Sequence, residues 1–122
     1  MLKDTPIDSW NATVGNLATV FPNFVRELET ALASKGHNNL IPQLTSTVID
    51  RYTYDSSVNA GYIYLVCPIP SLHFSKLAAK VAQTISFLNS GFNIDVNHDG
   101  YIFGIELLDR EDIFVKLKDI CN

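Results

Sequence analysis

Residues 92–108 read FNIDVNHDGYIFGIELL and satisfy two folding patterns that exclude each other. As a metal loop, Asp95, Asn97, Asp99, Gly100, Ile102 and Glu106 fall on the D-x-N-x-D-G-x-I-x-x-x-E spacing of an EF-hand. In such a loop, side-chain oxygens and a backbone carbonyl, here that of Tyr101, converge on Ca²⁺ while the glycine permits a sharp turn. As a hairpin, apolar and polar residues alternate on either side of Asn97-His98-Asp99-Gly100, the pattern of two paired strands joined by a tight turn.

The flanks favour the hairpin. An EF-hand needs a helix running into its first ligand, yet Asn89-Ser90-Gly91 stands just before Asp95 and would break one. Beyond the loop, Tyr101-Ile102-Phe103-Gly104-Ile105 combines aromatic, β-branched and glycine residues, which form helices poorly and, glycine apart, strands well. EF-hands work in pairs, and a second loop of this spacing does not occur in the sequence. In the hairpin, Gly100 takes the positive φ of a type I turn with a following bulge, and Asn97 or Asp99 bonds the turn backbone. Asp95 and Glu106 are then left over, because strands usually avoid acids. Calcium held by Asp95, Asn97, Asp99, Tyr101 and Glu106 stays as the alternative; the preferred reading needs no metal and no cofactor.

With the hairpin in place, other pieces of the chain fall into a pattern. Tyr54-Asp55, Gly61-Tyr62-Ile63-Tyr64-Leu65, Asn93 through Gly100, and Gly104-Ile105-Glu106-Leu107-Leu108-Asp109 resemble a small bacterial family of unknown function. Its members share an early Tyr-Asp, a Tyr-Ile-x-Leu strand and a terminal D-x-D-x-x-G-x-x-x-G-I-E-I-L hairpin. The resemblance covers residues 54–109 and implies a compact antiparallel sheet with no established catalytic residues. The chain departs from the pattern by a longer segment around residues 68–80 and by everything that precedes Tyr54.

A length of 122 residues, 47% of them hydrophobic, is enough to bury a core as one domain without staples. The apolar runs are too short and interrupted for a transmembrane helix, and the first residues lack the basic and apolar regions of a secretory signal, which predicts a cytoplasmic protein. Cys67 and Cys121 are far apart and form no C-x-x-C, which predicts free thiols. A net charge of −4 argues against phosphate backbones as a direct ligand. Acids concentrate late in the chain, where Asp95, Asp99, Glu106, Asp109, Glu111, Asp112 and Asp119 outnumber Arg110, Lys116 and Lys118.

In chain order, residues 5–36 predict two amphipathic helices, divided at Pro22, which suits the first turn of a helix and not its interior. Trp10, Val14, Leu17 and Ala18 line the first, with Thr5 or Asp8 as its cap; Phe24, Val25, Leu28, Ala31 and Leu32 line the second, which stops near Gly36. Residues 40–46 form a short helical turn around Pro42. Val48, Ile49, Tyr52, Thr53 and Tyr54 have strand chemistry, residues 55–61 turn, and residues 62–67 return as a second strand ended by Pro68 and Pro70. Residues 74–88 fit helix or strand equally well. Asp109 is the expected cap of a last helix lined by Ile113, Phe114, Leu117, Ile120 and Cys121. The expected architecture is α+β: an antiparallel sheet of about four strands within residues 47–109, a helical N-terminal extension over 1–46 and a C-terminal helix over 110–121, packed on the sheet.

Catalytic signatures are absent from the sequence. His37, His73 and His98 are dispersed, and neither a phosphate loop nor a nucleophile elbow occurs. Small size, acidity and this absence predict a non-enzymatic binding protein, an immunity or antitoxin type of inhibitor that covers a basic partner protein such as a toxin domain. Asp95, Asp99, Glu106, Asp109, Glu111 and Asp112 are the expected contact residues, since charge complementarity speeds encounter. A small enzyme using Asp55, Asp95 or Glu106 is the further alternative, and homodimerisation through edge strands is compatible with the binding reading.

Overall fold

A strand with apolar residues at every second position buries one face and leaves the other to water. Residues 92–96 and 105–107 have that period, and the computed structural model, which describes residues 15–66 and 81–121, places them in an antiparallel sheet. Its strands are β1 (Gly15–Asn16), β2 (Val48–Asp55), β3 (Ala60–Val66), β4 (Val81–Phe87), β5 (Phe92–Asn97) and β6 (Ile102–Leu108), in the order β1-β2-β3-β6-β5-β4. The α+β class is as expected, but among the described residues the sheet has six strands rather than about four.

The two additional strands have separate causes. Within the expected first helix, Asn16 is extended at φ −66°, ψ 131°, and its side chain caps the following turn by accepting from the Thr19 N–H at 3.0 Å. The cap starts a short helix, α1 (Leu17–Val20), and frees Gly15 and Asn16 to pair with Ile49 and Val48. In the undecided passage, Ile85 and Phe87 stand opposite Ile94 and Phe92. Two-residue spacing buries both, whereas a helical stripe would have had to bury Thr84. Residues 5–14 and 67–80, with their expected helix, prolines and His73, lie outside the described residues.

One buried row crosses five neighbouring strands. Tyr52, Ile63, Ile105, Ile94 and Ile85 are successive register partners on β2, β3, β6, β5 and β4, each no more than 5% exposed. Leu107, Phe92 and Phe87 form a parallel row beside it. Against this face pack α1, α2 (Pro22–Ser34), a 3₁₀ segment (Asn38–Thr45) and α3 (Glu111–Cys121), all contributing to one continuous core. Pro22 opens α2, and Phe24, Val25, Leu28 and Leu32 of its expected stripe are buried. The Phe24 ring meets the edge of Phe92 at 5.7 Å, and Phe114 of α3 stacks on Tyr54 at 4.4 Å. Ile113, Phe114 and Leu117 are buried as expected, but Ile120 is 43% exposed.

The hairpin is the reading that holds. Strands flank the loop where an EF-hand would have helices, Gly100 has φ +86°, and its N–H donates to the Asn97 carbonyl at 3.1 Å. The 3₁₀ segment fastens this turn from outside the hairpin. Gln43 donates through Nε2 to the Gly100 carbonyl at 2.8 Å and accepts through Oε1 from the Ile102 N–H at 2.7 Å. Replacing Gln43→Leu removes both bonds; equilibrium urea unfolding is expected to show a loss of about 1–3 kcal/mol.

Candidate functional site

Residues that alternate with the core rows share the opposite face of the sheet. Register places Thr53, Tyr62, Glu106, Asn93 and Ser86 in one row across β2, β3, β6, β5 and β4, and Arg51, Tyr64, Gly104, Asp95 and Thr84 in the next. Asp95 and Glu106 are thus diagonal neighbours on adjacent strands, a separation of roughly 7–8 Å between their backbones. Both carboxylates are fixed by neutral donors. Asp95 accepts from the Tyr62 hydroxyl at 2.6 Å and the Thr84 hydroxyl at 2.7 Å, and Glu106 accepts from the Asn93 amide at 2.9 Å. Asn93 in turn accepts from Ser86 at 2.8 Å.

Gly104 makes the reach of Tyr62 feasible. Tyr62 is opposite Glu106, so its ring must lie diagonally across β6 to meet Asp95 on β5. A Cβ on Gly104 would stand 1.8 Å from the Tyr62 hydroxyl, so any side chain there would expel the ring. Tyr64 meets Tyr62 edge-on at 4.7 Å and carries the Arg51 guanidinium over its ring at 4.2 Å; Arg51 is also paired with Asp50. Burial raises the Tyr62 pKa well above the ordinary phenolic value of 10.0, and the hydrogen bond and charge of Asp95 raise it further, with smaller effects of Tyr64 and Glu106. Tyr62 therefore stays a proton donor to Asp95 across the whole neutral range.

The other expected contact residues are dispersed. Asp99 is exposed at the hairpin tip, while Asp109 and the exposed Glu111 lie at the far end of β6, seven residues and therefore roughly 24 Å of strand away. Asp109 is a bend residue rather than the cap of α3: it has φ +57°, its N–H donates to the Asn59 carbonyl, and Arg110 separates it from the first helical residue. Asp112 is engaged internally. Arg110 donates to Asp112 at 3.1 and 3.2 Å, to both oxygens of Glu27 at 3.1 and 2.9 Å and to the Ser90 carbonyl, with its guanidinium near the Phe24 ring. The hydrogen bond to Asp112 is the main cause of a raised Arg110 pKa, and its counterpart holds Asp112 below the usual carboxylate range.

Two oxygens of the calcium alternative, those of Asn97 and Tyr101, serve the turn. Asn97 Oδ1 accepts from the N–H groups of Asp99 and Tyr101, and the Tyr101 carbonyl accepts from the Asn97 N–H. Among the described residues no group of three His, Cys, Asp or Glu is placed to hold a metal. Asp55 bonds Ser57 in the β2–β3 turn, on a strand three places from that of Asp95, so the sheet does not unite Asp55, Asp95 and Glu106. Tyr62, Tyr64, Asn93 and Thr84 are the members that the acid pattern alone passes over. The alternation in Gly61-Tyr62-Ile63-Tyr64-Leu65 carries the signal for both tyrosines.

Among the described residues no helix is long and apolar enough to cross a membrane. No family model, no curated protein and no solved structure matches the chain.

Tyr62→Phe is expected to cost about 1 kcal/mol in chemical denaturation at neutral pH. Because the folded-state pKa of Tyr62 is raised, its contribution is complete below the ordinary phenolic value and declines as pH rises above it. The alkaline decline in melting temperature should therefore be shallower in Tyr62→Phe than in the wild type. Asp112 has the opposite sign: its lowered pKa stabilises the fold above the usual carboxylate range and that contribution is lost as pH falls through it. Asp112→Asn should accordingly be less stable than wild type at pH 7 and equal to it in strong acid, by thermal melts across the acid range.

Proposed function

We propose that this chain is a non-enzymatic binding protein of the immunity or antitoxin type, cytoplasmic and related to the small bacterial family that its terminal hairpin resembles. Its partner is a basic protein, such as a toxin domain acting on nucleic acid. The observation that carries the reading is the outer sheet face, where Asp95 and Glu106 are held by Tyr62, Thr84 and Asn93 and neither forms an ion pair among the described residues. Carboxylates fixed in this way accept an arginine or lysine with little further loss of side-chain freedom. Tyr62 and Tyr64 beside them supply the rigid, amphipathic rings that protein interfaces favour.

The cations support the same reading. Arg110 is committed to Glu27 and Asp112, Lys35 donates to the Ser86 carbonyl and Lys116 to the Val20 carbonyl, so each of these cations is bonded within the fold. Asp99, Asp109 and Glu111 are exposed and form no ion pair among the described residues. They lie at the two ends of the sheet, so they steer an approaching basic protein while Asp95 and Glu106 make the central contact. A sheet face also suits a protein partner better than a small substrate, which needs enclosure to desolvate it.

Affinity capture from the native host, followed by titration in rising salt, tests the proposal. A basic partner is expected, with an affinity that falls with ionic strength and drops by about thirtyfold or more in Asp95→Asn/Glu106→Gln, the scale of truncating one buried charged contact. Recovery of no basic protein, or an affinity indifferent to salt and to the double substitution, would end this reading.

A further inference from the structure

Asp99 is the one acid or amide residue of the sequence that is followed by glycine. A glycine nitrogen is open to attack on a neighbouring carboxyl, because no Cβ shields it. The pair stands at the hairpin tip, where His98, Asp99 and Gly100 are exposed and a Cβ on Gly100 would meet nothing within 4 Å. Among the described residues the Asp99 carboxylate forms no hydrogen bond or ion pair. What separates nitrogen from carboxyl is the turn itself. The Gly100 N–H donates to the Asn97 carbonyl at 3.1 Å, and neither His98 nor Asp99 has a positive φ, so the turn is type I. Its third residue, here Asp99, then has ψ near about 0°, which faces the Gly100 nitrogen away from the Asp99 side chain. Asn97 Oδ1 secures the turn from within by accepting from the Asp99 and Tyr101 N–H groups. Among the described residues Gln43 is the one side chain outside the hairpin that bonds residues 98–102, through the Gly100 carbonyl at 2.8 Å and the Ile102 N–H at 2.7 Å.

We propose that the Asp99-Gly100 linkage is a site of isoaspartate formation, and that the Gln43 clamp sets its rate by holding the turn shut. When the tip opens and the Asp99 ψ turns, the Gly100 nitrogen bonds to Asp99 Cγ. Its proton and the carboxyl hydroxyl leave as water, and a succinimide remains. Water then adds to the ring. Breaking the original C–N bond at the Asp99 backbone carbonyl leaves Gly100 linked through Cγ, so the main chain gains a methylene and the former backbone carbonyl becomes the free carboxylate. One water leaves and one enters, and nothing is oxidised or reduced. The bonds from Gly100 and Tyr101 back to Asn97 span the lengthened linkage, so the isomerised tip loses their present geometry. The opening is local, because it releases the tip beyond Asn97 and leaves the pairing of β5 with β6 in place. The inference is independent of the acidic face, since it concerns the chain without any partner.

Incubation of the full chain at physiological pH and temperature, followed by enzymatic isoaspartyl methylation and peptide mapping, tests the proposal. Isoaspartate is expected at residue 99, and Asp99→Glu, whose longer side chain closes a larger ring more slowly, should carry none there. Gln43→Leu should isomerise about five- to thirtyfold faster than the wild type, the scale of the two lost bonds. Gln43→Glu keeps the acceptor for the Ile102 N–H and loses the donor to the Gly100 carbonyl, so its rate should fall between them. Ile113→Val loosens the core under α3 and leaves the clamp in place, so it should match the wild type. In urea sufficient to unfold the chain, all of these proteins should converge on one rate. Accumulation at another residue but not at Asp99, equal rates in the folded wild type and both Gln43 variants, an Ile113→Val as fast as Gln43→Leu, or differences that persist in urea would each overturn the proposal.

Discussion

Registration of β5 against β6 is the constraint on which both faces depend. A slip of β5 by one residue would carry Phe92 and Ile94 to the outside and Asn93 and Asp95 into the core, and a slip of β6 would do the same to Ile105 and Leu107 and to Glu106. The turn prevents the slip by several bonds at once. Asn97, itself only 6% exposed, accepts two backbone N–H groups through its side chain and one through its carbonyl, and Gln43 adds a clamp from a segment distant in sequence. Leaving those N–H groups without acceptors in a partly buried turn would cost more than any single bond contributes, so the register is strongly specified.

From that register the outer face follows. Gly104 stands beneath the Tyr62 ring, the ring reaches Asp95, and Thr84 completes the carboxylate from the neighbouring strand. Four strands therefore cooperate to hold one acid in a fixed position without a cation. On the inner face a corresponding knot forms around Arg110, which joins α2 through Glu27, the β4–β5 connection through Ser90 and the start of α3 through Asp112. The planar fork of arginine satisfies several acceptors at once, which a lysine could not. The acid-rich final third of the chain is thus divided: Asp112 joins the scaffold, and Asp95 and Glu106 are displayed.

Much of the fold was legible in short-range pattern. Period-two alternation around Asn97-His98-Asp99-Gly100 identified the hairpin, Pro22 located the start of α2, and Ile113, Phe114 and Leu117 announced α3. Pattern was weaker where two structures share one composition. Residues 81–87 suit helix or strand by propensity, and the choice fell to Phe92 and Ile94, which offered Phe87 and Ile85 a place in a row. Likewise a two-residue strand at Gly15–Asn16 has no periodicity to detect; it exists because β2 presents Val48 and Ile49 to pair with. The cap expected of Asp109 went instead to a left-handed bend, stabilised by a carbonyl from the β2–β3 turn that no local window contains.

The sequence by itself determined that this chain makes an antiparallel hairpin of opposed faces, backed by amphipathic helices and carrying an acidic surplus toward its end. Those properties are local: they depend on which residues alternate, which break helices and which titrate, and each is visible within a few positions. Tertiary structure alone decided that Tyr62 crosses Gly104 to hold Asp95, that Gln43 locks the turn, that Asp112 is paired while Glu106 is displayed, and that Lys35 bonds the Ser86 carbonyl of β4. Each of these joins residues separated by loops or whole strands, except for the pair Arg110 and Asp112, whose partner Glu27 is remote. Sheet order sets which of them meet, and sheet order arises from the competition of all strands for neighbours rather than from any one segment.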